Sequence, residues 1–510
     1  MGRRTAQPSV NARRHERGMS FAERCGLHSR ERQAACEQLV RQVEASGIEL
    51  IRLGWCDLHG VVRGKTIVAS QLRQALANGI GMVSTLLLKD SSDRTAFKVF
   101  ESGIQDTLPG FAGASNFTLM PDPASWHVLP WADKTGWLQC QPYFADGRIV
   151  PLDSRHVLQQ AVQRLAERGW QMRCGLEIEF HIYRLKDPLH GADLDPNRAG
   201  WPGPAPEVSL IHPGYNLLTE AWLDRAEEPL RIVQRTAQAL GLPLISLEIE
   251  LGPSQVEAVF DVSDALTAAD HMVLFRNATR QALRRAGYHA TFMCRPPFEH
   301  IMSSGWHLHQ SVCELATGRN VFMRDAPAQG NARDARQVLS DAGAGWLAGL
   351  LAHAPALTAL CTSTSNGYGR FRPNAMAPQS ILWGRDNRGA MLRVIGAPGD
   401  KATRIENRLG EPAANPYLYM ASQIHAGLDG VDTSLQAPEA TETPYAAGAA
   451  SIPTSLADAV QALQQDSALC KVMGQPFVDY YSALKRAEHQ RLAQAEDALE
   501  FHKREYFGRI

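Results

Sequence analysis

Glu177 and Glu179 stand two residues apart in the run Cys174-Gly-Leu-Glu-Ile-Glu-Phe-His-Ile-Tyr183, with apolar Ile178 and Phe180 at the alternate positions. On an extended strand successive side chains leave opposite faces, so both carboxylates share one face while the apolar residues pack on the other. The same alternation returns in Leu247-Glu-Ile-Glu-Leu251, in Trp306-His-Leu-His-Gln310 and in Arg404-Ile-Glu-Asn-Arg408. Any one of these runs could be an exposed edge with solvated charges; four in one chain point to an assembled acidic face. Glutamates crowded together repel one another unless cations hold them, and an oxygen-rich donor set with an imidazole suits Mg²⁺ or Mn²⁺. Two such ions are expected. No Cys/His spacing of a structural zinc site is present.

The elements that must position these residues can be read in outline. From about Ala34 to Tyr143 the sequence predicts a short helix (Ala34 to Ser46) and strands at Glu49 to Leu53 and Val61 to Val68, a small α+β unit. The stretch Asp146 to Asp153 supplies Gly, Pro and a capping Asp before an amphipathic helix, Arg155 to Arg168, and places a domain boundary near residue 147. Beyond it strands and helices alternate without internal repeats. Lys186 to Tyr215, dense in Pro, Gly and Asp, reads as a long loop, either an excursion or a flap. The region from Ser455 onward reads as helical, and its charged stretch, Lys485 to Arg504, as a solvated face. The expected layout is an extension (1–33), a small domain (34–146) and a larger one (147–510).

Bulk properties bound the function. The chain has 510 residues, 44% hydrophobic and 21% charged, with a formal net charge of −1, which gives no basic surplus for nucleic acid. Nine cysteines are scattered singly without a CxxC pair, as suits a reducing cytoplasm. No apolar run approaches the roughly 18–20 residues of a membrane helix. The first 18 residues carry five arginines and lack an apolar core, which excludes a secretory signal. A disordered extension, a transit peptide and a misassigned start before Met19 remain open.

Several segments resemble the glutamine synthetase family: Gly175-Leu-Glu-Ile-Glu-Phe180, Glu250-Leu-Gly-Pro-Ser-Gln-Val-Glu257, Ser304-Gly-Trp-His-Leu-His-Gln-Ser311, Asn366 to Pro378, Asp386-Asn-Arg-Gly-Ala-Met-Leu-Arg393, and Arg404 to Leu409 with Asn415-Pro-Tyr-Leu418. Their order and spacing carry the resemblance, which runs from about residue 49 onward. It implies a β-grasp N-terminal domain and a catalytic α/β domain on a curved antiparallel sheet, an α+β protein assembled as stacked hexameric rings with active sites at subunit interfaces. It implies an ATP-dependent carboxylate-amine ligase using two or three Mg²⁺ or Mn²⁺. Glu179, Glu250 and Glu257 would hold one metal, and Glu177, His307 and Glu406 the metal that bridges the ATP phosphates. Arg388 and Arg393 would neutralise the phosphoryl group in transfer. His309, Ser311 and Lys401 would contact the nucleotide, and Arg370 and Arg408 the amino-acid carboxylate, with Ser303, Gly305 and Met376 completing the substrate pocket.

Three departures from the family pattern bear on the substrate. Where ammonia-using members carry a glutamate before Ala-Pro, this chain has Met376. The stretch Met82 to Leu86, where an acid from a neighbouring subunit would complete an ammonium pocket, contains none. Met302-Ser303 replaces the usual Asn-Gly. Methionine offers an adaptable apolar wall instead of an ammonium site, so the expected partners are glutamate and a primary amine larger than ammonia. Ammonia-using glutamine synthetase and a non-catalytic relative are the alternatives. Pro438 to Tyr445 also lacks the motif that surrounds the adenylylated tyrosine of bacterial members.

Overall fold

The predicted strands assemble into two sheets in a computed structural model that describes residues 19–373, 375–446 and 448–510. The arginine-rich first 18 residues lie outside the described ones. The chain divides into two compact units, one of Met1–Trp55 (described from Met19), Arg63–Leu86 and Val99–Asp153, the other of Cys56–Val62, Leu87–Lys98 and Ser154–Ile510.

Strands β1 (Leu50–Cys56), β2 (Val62–Val68), β3 (Ile80–Val83), β4 (Asn116–Pro121), β5 (His127–Val128) and β6 (Thr135–Tyr143) form the first sheet, in the order β2-β1-β6-β4-β3 with β5 on β6. The helix expected from Ala34 begins earlier and spans Arg30–Ser46, because Ser29 caps it by accepting from the Arg32 N–H. It ends at Gly47, whose φ of 65° suits glycine and terminates the helix. Leu39, Val40 and Val43 form its buried stripe.

The second sheet comprises β7 (Trp170–Leu185), β8 (Val208–Leu210), β9 (Leu244–Ile249), β10 (Gln255–Asp264), β11 (Tyr288–Thr291), β12 (Trp306–Glu314), β13 (Trp383–Arg385), β14 (Leu392–Ile395) and β15 (Arg404–Gly410). Its order is β13-β14-β15-β12-β7-β10-β9, with β8 and β11 also pairing with β7. All recorded pairings are antiparallel except β13 with β14. Ile178 and Phe180 of β7 are fully buried; Phe180 stacks on Phe292 at 4.9 Å and meets Phe275 of the Ala265–Arg285 helix edge-on at 5.9 Å. These contacts seal the apolar face of the strand and leave its alternate residues, Glu177 and Glu179, to the other face.

The charged stretch Lys485 to Arg504 is only in part the solvated face its composition suggests: Arg486, Glu496, Asp497, Glu500 and Arg504 are exposed, but other charges turn inward. Lys485 and Glu488 are 2% and 0% exposed, and Arg491 bonds to Asp90 at 3.0 Å and Glu505 at 2.6 Å. The Ser91 hydroxyl donates to Glu505 at 2.5 Å, and the Ser92 hydroxyl joins it. Burial raises the Glu505 carboxyl pKa, but the hydrogen bonds and charge of Arg491 outweigh it and hold the group below its ordinary value. Asp90, Ser91 and Ser92, some 400 residues before Arg491, are too distant in sequence for a local window to pair with it.

His353 is held between Asp466 (Nδ1 to Oδ2, 2.6 Å) and Asp429 (Nε2 to Oδ2, 3.0 Å). Burial lowers its pKa, but the two carboxylates override this and raise it above the ordinary 6.5. A raised folded-state pKa gives stability that is fully present below the unfolded value and is lost as pH rises through the folded one. The unfolding free-energy gap between wild type and His353→Gln is therefore expected to be widest near pH 6, roughly 1–2 kcal/mol, and to narrow above neutrality, as denaturant titrations would read it. A gap that widens with pH would contradict this pairing.

Among the described residues no single helix is long and apolar enough to cross a membrane; Asp341–Ala352 and Ala354–Cys361 pass only as a pair bent by 77°.

Candidate active site

Strand register turns the i, i+2 spacings into a lattice of ionisable groups on one face. His307 of β12 lies opposite Glu177 of β7, and Glu257 of β10 lies opposite Glu179. Glu248 of β9 lies opposite Glu257, while Glu406 of β15 faces His309 on one side and Arg393 of β14 on the other. Glu250, expected within a strand, falls one residue past the end of β9; its N–H donates to the Gln255 carbonyl at 3.0 Å.

All six proposed ligands come together. Glu179, Glu250 and Glu257 form one group with ligand atoms within 4.8 Å of one another, and Glu177, Glu257 and His307 form another, as do Glu177, His309 and Glu406. His309 Nε2 is 2.9 Å from Glu177 Oε1, and His307 Nδ1 is 3.4 Å from Glu177 Oε2 and 3.9 Å from Glu406 Oε1.

The two ends of the cluster differ electrically. Glu406 is fully buried, which opposes ionisation, yet Arg408, His307, His309 and Arg393 hold its carboxyl below the ordinary range. Arg393 Nη1 is 2.9 Å from one carboxylate oxygen and Arg408 bonds to the other. Glu177 is likewise kept low, because its bonds with His307 and His309 outweigh burial. At the other end burial pushes Glu257 up to about 10, with help from Glu179, Glu177, Glu250 and Glu248. Burial and Glu179 push Glu250 up to about 7. Like charges in directly opposed register destabilise a sheet, and three carboxylates with no arginine among them are a donor set that fits a hard divalent cation.

Arg370 is buried, with Nη1 donating to the Arg408 carbonyl at 2.8 Å and Nη2 3.4 Å from His307 Nε2. It packs so closely on Gly305 that a Cβ there would lie 2.4 Å from Nη2, so any larger residue would have to push the guanidinium aside. The Gly305 N–H donates to Glu179 Oε2 at 2.7 Å. Arg408 Nη2 donates to the Met376 carbonyl at 3.1 Å, and the Met376 side chain is 51% exposed. Ser303 Oγ accepts from Arg295 at 3.3 Å. Of the two phosphate-binding candidates, Arg393 joins the cluster through Glu406, whereas Arg388 is exposed in the turn between β13 and β14, where its charge acts on Asp386.

His309, Ser311 and Lys401 line a cavity of about 620 Å³ that reaches Glu177. Arg404 also lines it and donates from Nε to His309 Nδ1 at 3.1 Å. Sequence reasoning assigned Arg404 no role, although its place two residues before Glu406 on β15 puts it on the same face. From sequence Glu248, opposite Glu257, reads only as part of an alternating run with no ligand role, and Asp386, beside Arg393, has none either; the partners of both lie across strands.

The family profile described as "Glutamine synthetase, catalytic domain" matches residues 151–504. A γ-glutamylanilide synthase of Acinetobacter sp is 37% identical over 488 residues, covering 94% of this chain and 95% of the relative. A glutamine synthetase of Halobacterium salinarum is 31% identical over 88% of this chain and 91% of its own length. A solved GmaS–ADP complex superposes with a TM-score of 0.72 at 27% identity, covering 90% of this chain and 97% of that one. With the profile spanning most of the molecule and both full-length relatives above 30% identity, the chain belongs to the glutamine synthetase family, whose members are ATP-dependent ligases.

Proposed function

We propose that this enzyme joins the γ-carboxylate of glutamate to a primary amine larger than ammonia. The observation that carries the amine assignment is Met376, whose carbonyl is held by Arg408 while its side chain stands where ammonia-using members carry a glutamate. The full-length similarity to a γ-glutamylanilide synthase supports the same reading.

In the reaction the glutamate γ-carboxylate attacks the γ-phosphorus of ATP, releasing ADP and forming γ-glutamyl phosphate. The amine nitrogen then attacks the acyl carbon, phosphate leaves, and the nitrogen loses a proton. Glu179, Glu250 and Glu257 would hold one Mg²⁺ or Mn²⁺, and Glu177, His307 and Glu406 a second, of the two or three ions expected. Bound there, the ions would supply charge neutralisation for the phosphoryl group. Arg393 and Arg388 balance the negative charge on the phosphoryl oxygens, His309, Ser311 and Lys401 bind the nucleotide, and Arg370 and Arg408 orient the amino-acid carboxylate. Ser303, Gly305 and Met376 line the space between them. The expected domains, a β-grasp one at 34–146 and a catalytic one at 147–510 after an extension at 1–33, need adjusting: the compact units divide after Asp153, residues 56–62 and 87–98 group with the larger unit, and Phe21 and Ala22 pack on Met120 and Tyr143 of the smaller one. A cytoplasmic dodecamer of two stacked hexameric rings is the expected assembly.

Phosphate release with glutamate plus ammonia, compared with glutamate plus a panel of alkyl, aryl and polyamines, tests the assignment. Preference for ammonia would overturn it in favour of an ammonia-using glutamine synthetase. Installing the carboxylate with Met376→Glu is expected to raise kcat/KM for ammonia relative to the best amine by about tenfold or more; an unchanged ratio would remove Met376 from the amine pocket.

A further inference from the structure

The metal group Glu179, Glu250 and Glu257 and the Ser303–Gly305 segment come from separate stretches of chain, and one side chain reaches the supports of both. Gln255, 2% exposed, opens β10 two residues before Glu257. Its Nε2 lies 3.3 Å from Glu179 Oε2, 3.3 Å from the Ser303 carbonyl and 3.0 Å from Ser304 Oγ. Its Oε1 accepts the Gly252 N–H at 2.9 Å. Because the Gly252 donor fixes which end of the amide is oxygen, the NH₂ must face Glu179 and the two serines.

The same residue's main chain holds the other side of the group. The Gln255 carbonyl accepts the Glu250 N–H at 3.0 Å and approaches His212 Nε2 at 3.1 Å. Glu179 Oε2 thus receives Gln255 Nε2 and the Gly305 N–H at 2.7 Å, which leaves Oε1 to face the cluster, 3.8 Å from His307 Nε2. A carboxylate with one oxygen fixed by two donors has a set orientation, the way supporting hydrogen bonds orient metal ligands and raise affinity.

We propose that Gln255 is a positioning residue that orients Glu179 and Glu250 for divalent metal and keeps the Ser303–Ser304 segment in register with them. This rests on the metal-binding reading of Glu179, Glu250 and Glu257 given above. The competing account, a buried glutamine that only satisfies the core, predicts loss of stability without loss of metal affinity.

Mn²⁺ binding to the full-length protein without substrates, followed by electron paramagnetic resonance, separates the two. Gln255→Met, which keeps the length and removes both amide functions, is expected to weaken Mn²⁺ binding about 10- to 100-fold. Ser304→Ala, a smaller change that removes one acceptor, is expected to shift it in the same direction by less. Gln310→Met is the matched control, since Gln310 is 1% exposed and bonds instead to Gln423 and Trp346; it is expected to leave Mn²⁺ affinity within about twofold. In steady state Gln255→Met should raise KM for the acid substrate and leave KM for ATP unchanged. The proposal is overturned if Gln255→Met binds Mn²⁺ as wild type does, or if Gln310→Met weakens it equally. Should Gln255→Met not fold, an unshifted Ser304→Ala overturns it alone. Wild type that binds no Mn²⁺ would end the metal reading too, whereas a preference for ammonia in turnover would end only the amine assignment and leave this series intact.

Discussion

Replacing Glu257 with Gln is expected to lower turnover by more than about 1,000-fold while raising the Tm of the metal-free protein. The first effect follows from removing a carboxylate shared by two of the three candidate ligand groups. The second follows from register: Glu257 lies opposite Glu179 and Glu248, and burial with these neighbours pushes its carboxyl up to about 10. A carboxyl whose folded pKa is raised costs stability as pH climbs from the ordinary 4.5 toward the folded value, because the unfolded chain releases its proton first. In EDTA the variant should therefore be more stable than wild type by roughly 1 kcal/mol near pH 8–9, with the two converging near pH 4–5. Added Mg²⁺ should reverse the order by stabilising wild type more. Calorimetry at two pH values, with and without Mg²⁺, checks all three; a variant less stable than wild type in EDTA at pH 9 would mean that the cluster is not electrostatically strained.

Arg393→Met is expected to reduce kcat by about 1,000-fold or more, with KM for the amine little changed. Arg393 is directed at Glu406 through Nη1 at 2.9 Å and at Asp386 through Nε at 2.9 Å, so its guanidinium is held at the edge of the cluster. Its simpler role would be as a counterion for the fully buried Glu406, which keeps Arg408 as a second partner. Activity per folded molecule distinguishes these roles. At a temperature where circular dichroism shows Arg393→Met fully folded, ADP release should stay about 1,000-fold down. Wild-type activity in the folded variant would assign Arg393 to the fold alone.

The acidic face was legible because a strand's period is two: Glu177 and Glu179, His307 and His309, and Glu406 with Arg408 announce a shared face in any window of five residues. Periodicity gave Glu250 as well, the family motifs added Glu257, and the comparisons support the family at full length. Local sequence was weaker at element ends. The helix at Arg30–Ser46 starts four residues before the predicted Ala34, where Ser29 supplies the cap, and Glu250 lies just beyond the strand that periodicity gave it. Charge was misread where its partner is remote, as at Arg491, whose carboxylates are Asp90 and Glu505.

Sequence by itself determined the ligand types, the face they share, the family and the change at Met376, because each is carried by residue identity and short-range spacing. Tertiary structure alone decided which groups oppose one another: Glu179 against Glu257 and Glu248, His309 against Glu406, Arg393 beside the cluster and Arg388 outside it. It also decided that Gln255 stands behind Glu179 and that Lys485 and Glu488 of the charged C-terminal helix are buried. The physical reason is the same in each case. Pairing across strands is set by register and sheet order among segments tens to hundreds of residues apart, and electrostatic energy depends on those distances and on burial.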